Sequence, residues 1–185
     1  MEKLDRLSDK LLVLRYQTGD ADALGRLARK YYSPLTYFLR RLLDGPDEAE
    51  ETLQDVWLTV LRNLHTLRKP TSFRAWLYRI ARNAAYDRIR KPPGPTRWNA
   101  QADTETAVED EQLDSLISQA DAAAIHRCLD QLSHAHKEVL MLRFFEDMPY
   151  DEIAAVVGCK KGTVRSRIHY AKRSLRALME GKEDV

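Results

Sequence analysis

The sequence predicts an all-α protein of two small helical domains joined by a flexible acidic linker, and three observations carry that prediction. Glycine is scarce, with 7 in 185 residues, while hydrophobic residues make up 44%; such a composition supports packed cores and favours helices over tightly turned sheets. Apolar residues recur at intervals of three and four along most of the chain, the spacing of a helix with one buried face. Finally, Lys91-Pro92-Pro93-Gly94-Pro95 ends any helix that reaches it, because proline has no N–H to donate and its ring clashes with the preceding turn. The resulting boundaries are 1–91 for the first domain, 92–119 for the linker and 120–180 for the second domain.

In the first domain, Leu4 to Gln17 reads as a helix, with Gly19-Asp20 as its stop and the next cap. Asp22 to Tyr32 continues in helical period, and Pro34 either kinks that helix or starts a new one ending near Leu43. Asp44-Gly45-Pro46 is a turn. Asp47 then serves as an N-cap, with Glu50 three residues later completing a capping box, and a long helix runs to about Leu64. Ala49, Leu53, Val56, Trp57, Val60, Leu61 and Leu64 form its apolar face, and Glu51, Gln54, Asp55 and Arg62 the opposite one. After a short loop, His65 to Ser72, the last helix buries Phe73, Trp76, Leu77, Ile80, Ala81 and Ala84; Trp57 and Trp76 fall on apolar faces and read as core. The linker is acidic and poor in large apolar residues before Leu113, a tether that becomes helical from Glu109 onward.

The second domain opens with a helix near Asp121 to Leu132, and Ser133 caps another that runs through Val139, Leu140 and Leu142 to about Phe145. Pro149 begins a third, Tyr150 to Val157, which Gly158 ends. A fourth spans about Lys161 to Met179. Helix, tight glycine-containing turn, helix is the outline of a helix-turn-helix.

The net charge of +2 hides a strong alternation. Residues 61–99 hold ten basic and one acidic side chain, residues 100–120 none and six, and residues 159–185 eight and three. Screening over about 10 Å lets each basic block act separately, so a bipartite polyanion is the natural partner. No apolar run approaches the roughly 18 residues of a membrane span, and Met1 to Lys10 is charged, so a cytoplasmic protein without membrane insertion is expected. Cys128 and Cys159 lie far apart and should be reduced thiols. His126, Cys128, His134 and His136 lie close in sequence, but a spacing of two sends side chains to different sides of a helix, so neither a metal nor any other cofactor is expected. The basic blocks also lack the clustered carboxylates of two-metal chemistry, which argues against an enzyme.

On the last helix Val164, Ile168, Ala171, Leu175 and Leu178 share one face, and Lys161, Arg165, His169, Lys172 and Arg176 another. Lys160 and Lys161 stand at its N-terminus, where the helix dipole disfavours cations unless a phosphate lies there. A solvated face is the alternative; the preceding turn and the acidic helix before it favour DNA. Arg165 and Ser166 are best placed to meet base edges in a major groove. In the first domain Arg79, Asn83, Tyr86 and Arg90 recur at intervals of four, three and four, beside a loop holding His65, Arg68 and Lys69. Cations tracking phosphates and an aromatic ring for stacking suit single-stranded or opening DNA.

Four blocks in order, Glu48-Ala49-Glu50-Glu51-Thr52-Leu53-Gln54-Asp55-Val56-Trp57, Phe73-Arg74-Ala75-Trp76-Leu77-Tyr78-Arg79-Ile80-Ala81-Arg82-Asn83, Leu132-Ser133 with Glu138-Val139-Leu140, and Gly162-Thr163-Val164-Arg165-Ser166-Arg167-Ile168, resemble the signatures of extracytoplasmic-function (ECF) sigma factors. The resemblance covers nearly the whole chain except the tether. It implies that the first domain is a sigma region 2 bundle, docking on the β′ clamp of core RNA polymerase through Glu51, Gln54 and Asp55. It further implies that Asn83, with Arg79, Tyr86, Arg90, Arg68 and Lys69, recognises and melts the −10 element of promoter DNA. The second domain is implied to be region 4, adjoining the β flap and reading the −35 element with Arg165, Ser166, His169 and Tyr170, flanked by Lys160, Lys161, Thr163, Arg167 and Lys172. Many relatives carry arginine where Tyr170 stands and proline where Lys160 stands. The linker is implied to enter polymerase channels meant for nucleic acid, a plain spacer being the alternative, and an anti-sigma factor is an expected partner. A stand-alone helix-turn-helix regulator would instead need a symmetric dimer and a palindromic site.

Overall fold

The computed structural model describes residues 2–43, 45–89 and 122–180, and every secondary-structure element in them is helical. The expected tether with its Glu109 helix, the Lys91 to Pro95 boundary, Asp44 and Arg90 lie outside the described residues. Two compact units contain the helices.

The first unit consists of α1 (Glu2–Gln17), α2 (Ala21–Leu42), α3 (Pro46–Asn63) and α4 (Phe73–Arg88). Helix α1 stops because Gly19 adopts φ +103°, and the Asp20 side chain caps α2 by accepting from the Asp22 N–H; left-handed backbone costs glycine least. Helix α2 runs unbroken through Pro34. Buried Tyr31, Leu35, Phe38 and Leu39 hold it on both sides of the proline, and their burial outweighs the one hydrogen bond lost. The capping box does not form. Gly45 is the N-cap, without a side-chain cap, and Pro46 opens α3; proline there has its φ preset and needs no partner for an N–H. Asp47 falls in the first turn, and Glu50 accepts instead from the Tyr32 hydroxyl at 2.9 Å.

The core gathers Leu27, Tyr31, Leu35, Phe38 and Leu39 of α2, Leu53, Val56 and Val60 of α3, and Phe73, Leu77, Tyr78 and Ala81 of α4. Tyr31, Phe38, Phe73 and Tyr78 meet edge to face at centroid distances of 5.4–6.4 Å, the arrangement ring quadrupoles prefer. The buried stripe of α3 is narrower than expected: Leu61 is exposed and Trp57 only half-buried. On α4, Trp76, Ile80 and Ala84 are half-buried, and Tyr78 takes the central place.

Asp9 of α1 is buried and joins α2 by accepting from Lys30 Nζ (2.7 Å) and the Tyr31 hydroxyl (2.6 Å). Asp9→Ala removes an ion that both groups use and is expected to cost about 1–3 kcal/mol, measured by chemical denaturation.

The second unit holds α5 (Ala122–Gln131), α6 (His134–Leu140), α7 (Tyr150–Val157) and α8 (Lys161–Met179). Ser133 caps α6 by accepting from the His136 N–H, and that helix continues as a wider π turn over Met141–Phe145. Pro149 precedes α7, and Gly158 at φ +73° ends it. Ile125 and Leu129 of α5, Val139 and Leu140 of α6, Ile153 and Val156 of α7, and Val164, Ile168, Ala171 and Leu175 of α8 are buried, whereas Leu178 is half-buried.

Candidate nucleic-acid and protein interfaces

In the second unit the helix-turn-helix is built by α7, the left-handed Gly158 and α8. Gly158 and Cys159 both donate to the Ala154 carbonyl (2.9 and 3.3 Å), which satisfies the end of α7 and lets Lys160 start the next helix at once. Lys160, Lys161 and Arg165 are exposed, and Thr163, Ser166, His169, Tyr170 and Lys172 are half-buried. Several of these side chains already have partners. Lys161 Nζ donates to Asp151 Oδ2 at 2.9 Å, a link from α8 back to α7. The Ser166 hydroxyl donates to the Thr163 carbonyl at 3.1 Å, so toward a base edge it is an acceptor. His169 meets the Tyr170 ring edge-on at 5.5 Å, and Lys172 Nζ sits 5.0 Å from the centroid of Phe144.

Arg167 corrects the sequence expectation. It is buried, with Nη1 3.9 Å from Oε1 of the fully buried Glu138. A guanidinium in that position faces the interior rather than the exposed side of α8. The exposed cation of the pair is Arg165, two residues and about 200° of helix away.

In the first unit the loop before α4 comprises two short 3-10 turns, Leu64–Thr66 and Pro70–Ser72. Gln17 of α1 fixes it, its Nε2 donating to the carbonyls of Leu64 (3.1 Å) and Leu67 (3.0 Å). Arg68 and Lys69 project from this loop and are exposed, as are Arg79 and Asn83 on α4. Tyr86 is half-buried, with the Arg82 guanidinium 4.4 Å from its ring centroid, a cation–π contact on one ring face. Arg90 lies outside the described residues.

Glu51, Gln54 and Asp55 are exposed along one side of α3. The two carboxylates are bridged from α4 by Arg88, whose Nη1 donates to Glu51 Oε2 at 2.8 Å and Nη2 to Asp55 Oδ2 at 3.0 Å. The bonds to Glu51 and then to Asp55 raise the Arg88 pKa further above its ordinary range. Toward α2, Gln54 borders an apolar furrow of about 480 Å³ lined also by Leu24, Tyr32, Leu53, Trp57, Leu58 and Leu61.

Sequence reasoning did not single out Gln17, Arg88, Leu58 or the Glu138–Arg167 pair. Arg167 alone carried a signal, since it stands three residues from Val164 and four from Ala171 and so flanks the apolar stripe. The others depend on how two helices register against each other. Among the described residues no group of three or more His, Cys, Asp or Glu is arranged to hold a metal ion, and no helix is long and apolar enough to cross a membrane.

The chain matches the family model of sigma-70 region 2 over residues 27–92 and that of sigma-70 region 4 over residues 122–175. It is similar to the RNA polymerase sigma-H factor of Pseudomonas aeruginosa, 32% identical over 183 residues that cover 93% of this chain and 94% of the relative. Similarity to the ECF RNA polymerase sigma-E factor of Escherichia coli K12 is 28% identity over 188 residues, covering 92% and 94%. Among solved structures, CnrH in complex with the cytosolic domain of CnrY gives a TM-score of 0.69 at 23% identity, covering 95% of this chain and 99% of that one. The sigma factor RpoE of Bartonella quintana, in complex with the anti-sigma factor NepR, gives 0.64 at 21%, covering 86% and 98%. At these identities the two structures speak for the fold.

Proposed function

Because the chain belongs to the sigma-70 family of RNA polymerase initiation factors, in its extracytoplasmic-function branch, we propose a division of labour among its exposed surfaces. The protein is not an enzyme; it binds core RNA polymerase, directs it to promoters through the −35 and −10 elements and assists promoter melting. In our reading Arg165 meets −35 base edges in the major groove, with Ser166, His169 and Tyr170 beside it, while Lys160, Lys161, Thr163 and Lys172 hold the flanking backbone. The −10 strand is taken by Asn83, Arg79 and Tyr86 together with Arg68 and Lys69 of the loop. Glu51, Gln54 and Asp55 dock on the β′ clamp, and region 4 adjoins the β flap. Acting on polymerase, the protein works in the cytoplasm. The domain limits 1–91 and 120–180 are part of this reading, with the acidic linker between them.

The observation that carries the reading is that cations stand exposed on the outer side of helices whose inner side is buried, in both units. With a net charge of only +2 the free factor has little attraction for DNA, and polymerase must hold the two surfaces at promoter spacing so that their binding adds through effective concentration. Reconstitution with core enzyme tests it: specific transcripts are expected, and their absence on every template tried overturns the reading. Asp55→Ala is expected to weaken core binding about fivefold, read by fluorescence anisotropy, while duplex −35 recognition by the assembled holoenzyme stays unchanged. An anti-sigma partner is also proposed, in keeping with the NepR complex of a protein of the same fold; co-purification from native cells checks it.

A further inference from the structure

We propose that Arg88 is an internal competitor for core RNA polymerase, its guanidinium occupying the Glu51 and Asp55 carboxylates in the free factor and leaving them when a cationic polymerase surface arrives. The inference rests on the reading that these carboxylates dock on the clamp. Arg88 uses both terminal nitrogens, one per carboxylate, at 2.8 and 3.0 Å. Glu51 and Asp55 stand one turn apart on α3, where two like charges repel; a single cation between them removes that repulsion and halves the charge offered to a partner. The side chains of Glu51 and Asp55 are 66% and 59% exposed, and that of Arg88 is 30% exposed. The bridge is therefore open to solvent and to competition rather than locked in the interior. Exposed ion pairs are individually weak, up to about fivefold in an equilibrium, so an incoming arginine or lysine displaces this one at small cost. Arg88 leaves α4 on the side that meets α3, about 140–200° around the helix from Arg79, Asn83 and Tyr86. Its loss should consequently spare the surface assigned to the −10 strand.

The test measures affinity of the full-length factor for purified core polymerase by competition or anisotropy, for Arg88→Ala and Arg88→Gln, each also combined with Glu51→Gln and Asp55→Asn. Arg88→Ala is expected to raise core affinity about two- to fivefold, Arg88→Gln to raise it to a lesser degree, and added salt to shrink both differences. Binding of a −10 single strand by the assembled holoenzyme should not change. Circular dichroism of each variant checks that the helices are kept. If Arg88→Ala leaves affinity unchanged or lowers it while Glu51→Gln and Asp55→Asn still weaken binding, the competitor role is overturned and Arg88 is a positioning residue for the docking site. If the carboxylate variants have no effect in either background, the docking assignment itself fails.

Discussion

Replacing Arg167 with alanine is expected to destabilise the second helical unit by about 3 kcal/mol, because it strips a buried carboxylate of a nearby cation. Glu138 has no solvent exposure, and the guanidinium beside it is also buried. At 3.9 Å the two ions attract mainly through charge, in an interior where that attraction is poorly screened. For a domain of this size each kcal/mol moves the midpoint by about 4–8 °C, so the transition of this unit should fall by roughly 12–24 °C in a thermal scan. The double variant Arg167→Met with Glu138→Leu removes both ions together and is expected to regain most of the loss, as apolar replacements of buried pairs commonly do. A single variant that melts with the parent protein would contradict the assignment of Arg167 to the interior.

Arg165→Ala is the complementary experiment two residues away. Arg165 is exposed on α8, so its removal should leave the melting curve within about 0.5 kcal/mol of the parent. Instead it should cost about 1–3 kcal/mol of promoter discrimination, and selectivity should relax at one or two base pairs of the −35 element. Transcription from a set of single-base promoter variants reads this directly. Equal loss on every template would assign Arg165 to the phosphate backbone, with a shallower salt dependence as the accompanying sign.

The contrast between these arginines shows which parts of the molecule the sequence made legible. Helix limits were readable wherever a local signal was unopposed: Gly19 with Asp20, Ser133, Pro149 and Gly158 act within their own turn of chain. At α3 two local signals competed. The Asp47–Glu50 spacing suggested a cap, but Pro46 claimed the first turn, and Glu50 found Tyr32 instead. Exposure along one helix was also largely readable, as Arg79, Asn83 and Arg165 illustrate. The partners of exposed side chains were not. Arg88 lies 33 residues from Asp55 and 37 from Glu51, and Gln17 lies 47 and 50 residues from the carbonyls it ties. No periodicity within a helix encodes such pairings; they follow from the rotation and shift of one packed helix against the next. Trp57 is only half-buried for the same reason: the packing of α2 against α3 leaves its edge of α3 partly uncovered along the furrow between them.

That uncovered edge equips the protein with its own optical gauge. The Trp57 indole lies half in water along the α2–α3 furrow, its Nε1 buried and without a hydrogen-bond partner among the described residues. Anything that closes over it must dry the ring, shifting its emission to shorter wavelength and hiding it from aqueous quenchers. With Trp76 and Trp98 replaced by phenylalanine, the unlabelled factor should therefore announce when that side of α3 is occupied, in real time and without a reporter dye.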